Sequence, residues 1–376
     1  MRKFVFSIML AMALGCGKNN VTNNDDGISV VITPSRAVVD FGSTFHFIVD
    51  VYGTDSTDVT WLVHEVAGGD SAYGTIDQQG NYTAPDSVPT GLDSIMVTAV
   101  LVVDSTQRDN AWAVLVDPQV IYVDFLGSDT SGIGSERQPY RTITKALTRA
   151  HSGQTIMVSA GEYDVFAGER FPLRITSGIS LVGASPDSTY VTGPGNLDPR
   201  QGAMIQIDGY AILIQNLHIR SSNSLGVGIW LRPGHYTQVV GNNISNQYIG
   251  IFADGSALSA SIISNNVFTA DSIGIVAADS CTPLLRSNSI TNCRKYGVEI
   301  RGISQPNLGD DDTTGAGHNT IRDCGDASYH YLIYNGSPRT INAIGNVWQL
   351  PIPSDNDQFI FDDEESQNSS GEVILE

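Results

Sequence analysis

The amino-acid sequence predicts an all-β protein: a β-sandwich over residues 28–117, then a right-handed parallel β-helix over residues 118–376 that opens with a cap helix. Three observations lead there. Up to residue 117, apolar and polar residues alternate with period two in short runs. Beyond it, an Asn beside an apolar residue recurs at steps of 23, 23, 31 and 27. Between the two patterns lies one stretch of helical spacing. At 376 residues the chain can hold two or three domains with sizeable cores.

The chain begins MRKFVFSIMLAMALGCGKNN. Two cations precede an apolar run over residues 4–14, which is too short to span a bilayer and fits a secretory signal over residues 1–15. Its end, Ala13-Leu14-Gly15-Cys16, resembles the lipobox of bacterial lipoproteins, with Ala13 where Leu is usual. That resemblance implies lipid attachment at Cys16, and Gly17 in place of Asp implies outer-membrane sorting in a Gram-negative cell. An ordinary leader fits the same residues, since Ala13 and Gly15 also satisfy the small-x-small cleavage rule. The Cys directly after Gly15 and the polar stretch behind it favour the lipoprotein. Residues 16–27 have no periodicity and read as a flexible tether.

In the sandwich, TFHFIVDVYG places Phe45, Phe47, Val49 and Val51 on one face. Val59, Trp61 and Val63 form a second set, and Ile95, Val97, Ala99 and Leu101 a third. The segment GTIDQQGNYTAP resembles the bacterial Ig-like domains that act as spacers on surface proteins, which implies a spacer role here. His46 and His64 sit within strands and are expected on a solvated face rather than at a metal.

The repeat is read by aligning Asn242, Asn265, Asn288, Asn319 and Asn346. Val239, Ile262 and Leu285 precede the first three, Ile244, Val267 and Ile290 follow them, and Ile251, Ile275 and Val298 recur half a period on, in Gly-Ile-like contexts. Units of this length with short apolar clusters mark a solenoid of coils stacked ~4.8 Å apart. At a tight bend the backbone cannot all join ladders, so an Asn that bonds the local backbone and the Asn of the next coil answers the shortfall. The expected role of the column is structural.

Ahead of the coils, Ile143, Ala146, Leu147 and Ala150 lie at i, i+3, i+4 and i+7, a helix ending by Gly153 that covers the raw apolar end of the solenoid. The run from Tyr122 through TITKAL, Gly161-Glu162-Tyr163, Phe171-Pro172-Leu173 and Leu181-Val182-Gly183 resembles a bacterial β-helix family of uncharacterised function within the pectate-lyase-like, carbohydrate-associated superfold. The likeness covers roughly residues 119–376. GNVWQ resembles the closing coil of such proteins, with N-V-W-Q where N-Y-W-G is usual, and the acidic tail reads as a solvated last turn.

Chemistry on such a solenoid falls to outward side chains. Counting from the Ile column gives Trp230, Phe252, Val276 and Glu299 in one row, and Arg232, Asp254, Ala278 and Arg301 in a second with opposite charges on adjacent rungs. A row of exposed aromatics would take the apolar face of a sugar; a covering loop or the sandwich would remove it. Asp310, Asp311 and Asp312, in the loop of the longest coil, are the one candidate calcium site, against the plain reading of a solvated loop. His151, His235 and His318 lack partner spacing. Cys293 and Cys324 each follow their Asn by five residues and are expected side by side, as a disulfide or as buried free thiols, with Cys281 unpaired.

The formal charge is −20, and −22 without Arg2 and Lys3, a field that repels phosphate backbones and excludes nucleic acid as a partner. The expected protein is therefore extracytoplasmic, held to the outer membrane or cell surface through its lipid, and displays a β-helix that binds glycan or serves as an adhesive or structural module. The alternative is a polysaccharide lyase or glycoside hydrolase. No acid–base pair stands out in the sequence to favour it.

Overall fold

The computed structural model describes residues 27–86, 92, 94–176, 178–194, 203–233, 236–255, 261–269, 271–310, 315–325, 331–351, 353–366 and 370–376. Cys16, where the sequence leads one to expect lipid, lies outside them. The first part is a sandwich in which Ser94–Leu101 pairs antiparallel with both Arg108–Val116 and Val59–Val63, while Arg36–Asp40 lies parallel to Arg108–Val116. The alternating residues Ile95, Val97, Ala99 and Leu101 are fully buried, together with Phe47, Val63 and Tyr82. The hairpin in GTIDQQGNYT is fixed by Asp77, whose carboxylate accepts from the backbone of Gln79 and Asn81 and from the Asn81 side chain. Gly80 completes that turn at φ +83°, where a Cβ would fall 2.2 Å from the Phe47 carbonyl oxygen. His46 bonds Asn81 Oδ1 at 3.0 Å and His64 stacks on Tyr73, both exposed.

From Val120 onward the chain is a parallel β-helix. Among the described residues its three sheets have seven, seven and eight strands, each strand parallel to its equivalent in the next coil. The first sheet stacks Ile156, Leu181, Ile214, Val239, Ile263 and Leu285 inward. The second stacks Val191, Ile219, Ile244, Phe268, Ile290 and Ile321. The third stacks Ile205, Ile229, Ile251, Ile275, Val298, Ile333 and Ile360. All belong to one continuous core. Each such side chain contributes about 1.5–3 kcal/mol through removal from water.

The bend between first and second sheets holds the Asn column, and its register differs at one coil from the sequence reading. The ladder runs Asn242, Asn266, Asn288, Asn319, Asn346. Asn242 donates its backbone N–H and its Nδ2 to Asn266 Oδ1, both at 3.0 Å. Asn266 does the same to Asn288 at 3.1 Å, Asn288 to Asn319, and Asn319 to Asn346. The second Nδ2 hydrogen reaches a carbonyl of the preceding coil, as from Asn266 to Val239 and from Asn288 to Ile263, both at 2.8 Å. Two donors and two acceptors are thus used on each interior rung, the full inventory of a primary amide.

Asn265 is exposed and occupies the position before the ladder, where φ is +54°. The equivalent residues Asn216, Gly241, Ser287, His318 and Gly345 all have positive φ as well. Asn tolerates the left-handed conformation better than most side chains, so Asn-Asn satisfies both requirements of the bend in one dipeptide. The same shift moves the inward residues to Ile263 and Phe268, leaving Val267 exposed.

The recurrent Gly-Ile pair has a steric cause. Gly228, Gly250 and Gly274 lead into the third sheet, where an added Cβ would lie 2.5, 2.5 and 2.6 Å from the carbonyl oxygen of the glycine one coil on. Only a residue without a side chain lets these coils stack at sheet spacing.

The open end is closed by the helix Ile143–Leu147, shorter than its apolar spacing suggests, with Ile143 and Ala146 buried and Leu147 and Ala150 against the core. Thr142 caps it by accepting from Lys145 N, and the buried Glu169 carboxylate accepts from the backbone of Ile143 and Thr144 and from the Thr144 hydroxyl. Burial pushes the Glu169 pKa upward against those hydrogen bonds. At the far end Val373–Ile374 pairs with Ile341–Asn342, and Asp362 accepts from Val373 N, so the acidic tail is stitched into the last coil. Cys281, Cys293 and Cys324 are buried free thiols, not a bridge; those of Cys293 and Cys324 touch on adjacent coils.

Two expected outcomes follow from this packing. Asn266→Gly leaves backbone groups of two coils unpaired and should cost roughly 1–3 kcal/mol in denaturant unfolding, whereas Asn265→Gly, at a positive φ, should leave the midpoint unchanged or raise it; the reverse order would restore the other register. The second concerns Asp271, 0% exposed, whose Oδ1 accepts from Gln247 N while Oδ2 has no partner among the described residues. Burial raises its pKa well above the usual carboxylate range, opposed by the Gln247 hydrogen bond and by Arg294. The folded state thus holds this proton more tightly, and its contribution is full at acid pH and lost as pH rises through the raised folded pKa. Asp271→Asn should accordingly gain melting temperature over wild type as pH increases, and a difference independent of pH would contradict a raised pKa in the folded state.

Candidate functional site

The exterior of the third sheet carries the candidate residues. Its strands Val227–Leu231, Ile249–Asp254, Ile273–Ala278, Tyr296–Ile300 and Tyr331–Asn335 stack in register, so outward side chains form straight columns along the solenoid. One column reads Gln206, Trp230, Phe252, Val276, Glu299, Tyr334 and Phe361. A second reads Ala203, Val227, Ile249, Ile273, Tyr296 and Tyr331. The apolar members form a cluster of their own, separate from the interior core.

Trp230 and Phe252 are adjacent on this face, but they are not an open sugar platform. Trp230 is only 6% exposed, packed in the outer cluster, with the Arg232 guanidinium 5.3 Å from its ring centre. Phe252 is half-buried beside the fully buried Val276. The charged residues of the second row take partners other than those expected. Arg232 bonds Asp208 at 2.8 Å, and Arg301 grips Glu299 within its own segment, Nε to Oε1 at 2.7 Å and Nη2 to Oε2 at 2.8 Å. Glu299 holds the Arg301 guanidinium yet more firmly protonated. Asp254 is half-buried next to Ala278 in the register.

The aromatics that the sequence reading missed lie at the C-terminal end of the face. Tyr296, Tyr334 and Phe361 stack, with centroids 4.9 and 4.4 Å apart, and Tyr331 meets Tyr334 and Phe361 edge-on. All four are half-buried. Because Tyr334 is stacked on both sides, it offers its edge and hydroxyl outward rather than a face. Extending the Ile column past the long coil, to Ile333 and Ile360, is the sequence signal that would have found Tyr331, Tyr334 and Phe361.

A second polar cluster, also missed, crosses the outside of the second sheet. Arg220 bonds both oxygens of Glu162 and Thr192 Oγ1, lies 4.7 Å above the Tyr190 ring, and neighbours His218, whose Nε2 is 2.8 Å from Ser245 Oγ. Burial would raise the Glu162 pKa, but hydrogen bonds from Thr192 and Arg220 hold it below the usual value. Burial and the Arg220 charge lower that of His218.

The proposed calcium loop is occupied internally where it is described. Asp310 accepts from Asn307 Nδ2 at 2.7 Å and faces Arg286 at 3.6 Å; Asp311, Asp312 and His235 lie outside the described residues. Among the described residues no group of three or more His, Cys, Asp or Glu is placed to hold a metal ion. His151 and His318 are exposed.

Solved structures of similar fold include the pectate lyase Pel9A (14% identity, 61% of this chain and 70% of that one, TM-score 0.40) and a lacto-N-biosidase from Eubacterium ramulus (13%, 62% and 56%, 0.43). A pectin methylesterase in complex with a hexasaccharide is a third (13%, 61% and 80%, 0.33). No curated protein matches the chain. Residues 125–354, most of the β-helix, match the family described as Protein of unknown function (DUF1565), and the chain belongs to that family.

Proposed function

We propose that this protein is a lipid-anchored surface protein whose β-helix binds glycan without turning it over. The observation that carries the binding reading is the C-terminal end of the third sheet's exterior, where four clustered aromatics adjoin the Glu299–Arg301 pair. Amphipathic rings with hydroxyl tips, set on stacked strands, present apolar edges and hydrogen-bonding groups at low conformational cost. The rungs repeat at ~4.8 Å, so an extended polymer lying along the solenoid meets the same surface at successive sugars. Ion pairing within the face commits the groups that a lyase would use as base, which supports binding over catalysis.

The anchor reading rests on the Ala13-Leu14-Gly15-Cys16 stretch and the polar tether after it. No helix among the described residues is long and apolar enough to cross a membrane. In this reading the sandwich lifts the β-helix away from the lipid surface.

Screening the purified protein on a polysaccharide array, with product analysis in parallel, tests the first part. Tyr331→Phe together with Tyr334→Phe keeps the stacked rings and removes their hydroxyls, and should weaken binding with little loss of melting temperature, while Trp230→Ala should lower the melting temperature because that ring is packed. Appearance of unsaturated or new reducing-end products would favour the enzyme instead. For the anchor, Cys16→Ser should move the protein from the membrane to the soluble fraction; wild-type protein recovered wholly soluble, with no lipid mass at its N-terminus, would end that part.

A further inference from the structure

The charges on the third sheet's exterior are matched to one another rather than left for a ligand. Arg174 and Arg232 both reach Asp208, at 3.5 and 2.8 Å, and Arg301 holds Glu299 through two contacts. Gln206 Nε2 fills the remaining capacity of Asp208, at 2.8 Å from each oxygen. Glu299 is only 9% exposed. An anionic sugar arriving at Arg301 meets a guanidinium whose charge the adjacent carboxylate already offsets, and one that took its Nε–Nη2 edge would leave Glu299 poorly solvated without its partner, a penalty that offsets the new ion pair. The chain as a whole carries −20 and repels polyanions at a distance. Tyr296, Tyr331 and Tyr334, in contrast, are neutral donors and acceptors suited to sugar hydroxyls.

We infer that the ligand of this face is an electrically neutral polysaccharide, and that Glu299 turns anionic glycans away by holding Arg301. This rests on the glycan-binding reading above and narrows it to one substrate class.

Calorimetric titrations with neutral cello-, xylo- and manno-oligosaccharides, and with polygalacturonate, at low and high ionic strength, test it on wild type and on Glu299→Gln. Wild type should bind a neutral glycan with less than about twofold dependence on salt and should not bind polygalacturonate. Glu299→Gln keeps the shape of the side chain and removes its charge. It should retain the neutral ligand and gain polygalacturonate binding at low salt by about tenfold or more. Wild-type binding of polygalacturonate that collapses with salt would overturn this inference and leave the glycan-binding reading standing. So would a Glu299→Gln protein of unchanged melting temperature that gains no affinity for the polyanion. Failure of wild type to bind either class would overturn both.

Discussion

The buried bend between the first and second sheets sets the terms for the rest of this β-helix. Backbone groups there face other coils rather than water, and the Asn side chain satisfies them in both directions along the axis. Because each amide is saturated, no rung can slip without breaking four hydrogen bonds at once. The ladder therefore fixes register as well as stability. Straight outward columns on the third sheet depend on that register, and so does the meeting of Tyr296, Tyr331, Tyr334 and Phe361 from three different coils. The interaction that holds the fold together thus also assembles the candidate site.

The constraint has visible ends. In the coil before Asn242 the ladder position is Leu217, whose N–H still donates to Asn242 Oδ1 at 3.0 Å but whose side chain joins the core. At the other end Asn346 spends its amide on Leu308 and Ala343 carbonyls, closing the chain of bonds on the backbone. Beyond these limits the solenoid relies on the short helix with its Glu169 carboxylate, and on the Val373–Ile374 strand. Asp271 marks a different corner, where burial of a carboxyl raises its pKa against the Gln247 hydrogen bond and the Arg294 charge.

Much of the fold was legible because a solenoid repeats its requirements. The Ile251, Ile275 and Val298 column needed no structure to align, since inward residues and the preceding glycines recur at nearly constant spacing. Asn265 was misread because two adjacent positions favour the same residue type, one for its amide and one for its tolerance of positive φ. The candidate site was harder to read. Trp230 and Phe252 were placed on the right face, but exposure depends on what packs outward, which periodicity does not encode. Tyr331, Tyr334 and Phe361 were obscured by the long coil, where the step of 31 residues breaks the count. Arg232 pairs with Asp208 one rung before it in its own column, rather than with Asp254 one rung after, and extending the column back one coil would have shown that partner.

The proposed role, an extended glycan lying along the solenoid axis, would draw affinity from neutral aromatic and hydroxyl groups and selectivity from ion pairs that are already complete. The cluster of Glu162, Arg220 and His218 on the second sheet offers a polar surface of different character, and the two faces separate the possibilities cleanly. Hydroxyl-radical footprinting of the protein, free and saturated with its tightest glycan, reads solvent access at individual side chains. Protection concentrated at Tyr331, Tyr334 and Phe361, with Tyr190 and His218 unchanged, is the result expected; protection at Tyr190 and His218 with the third-sheet aromatics unchanged would contradict it.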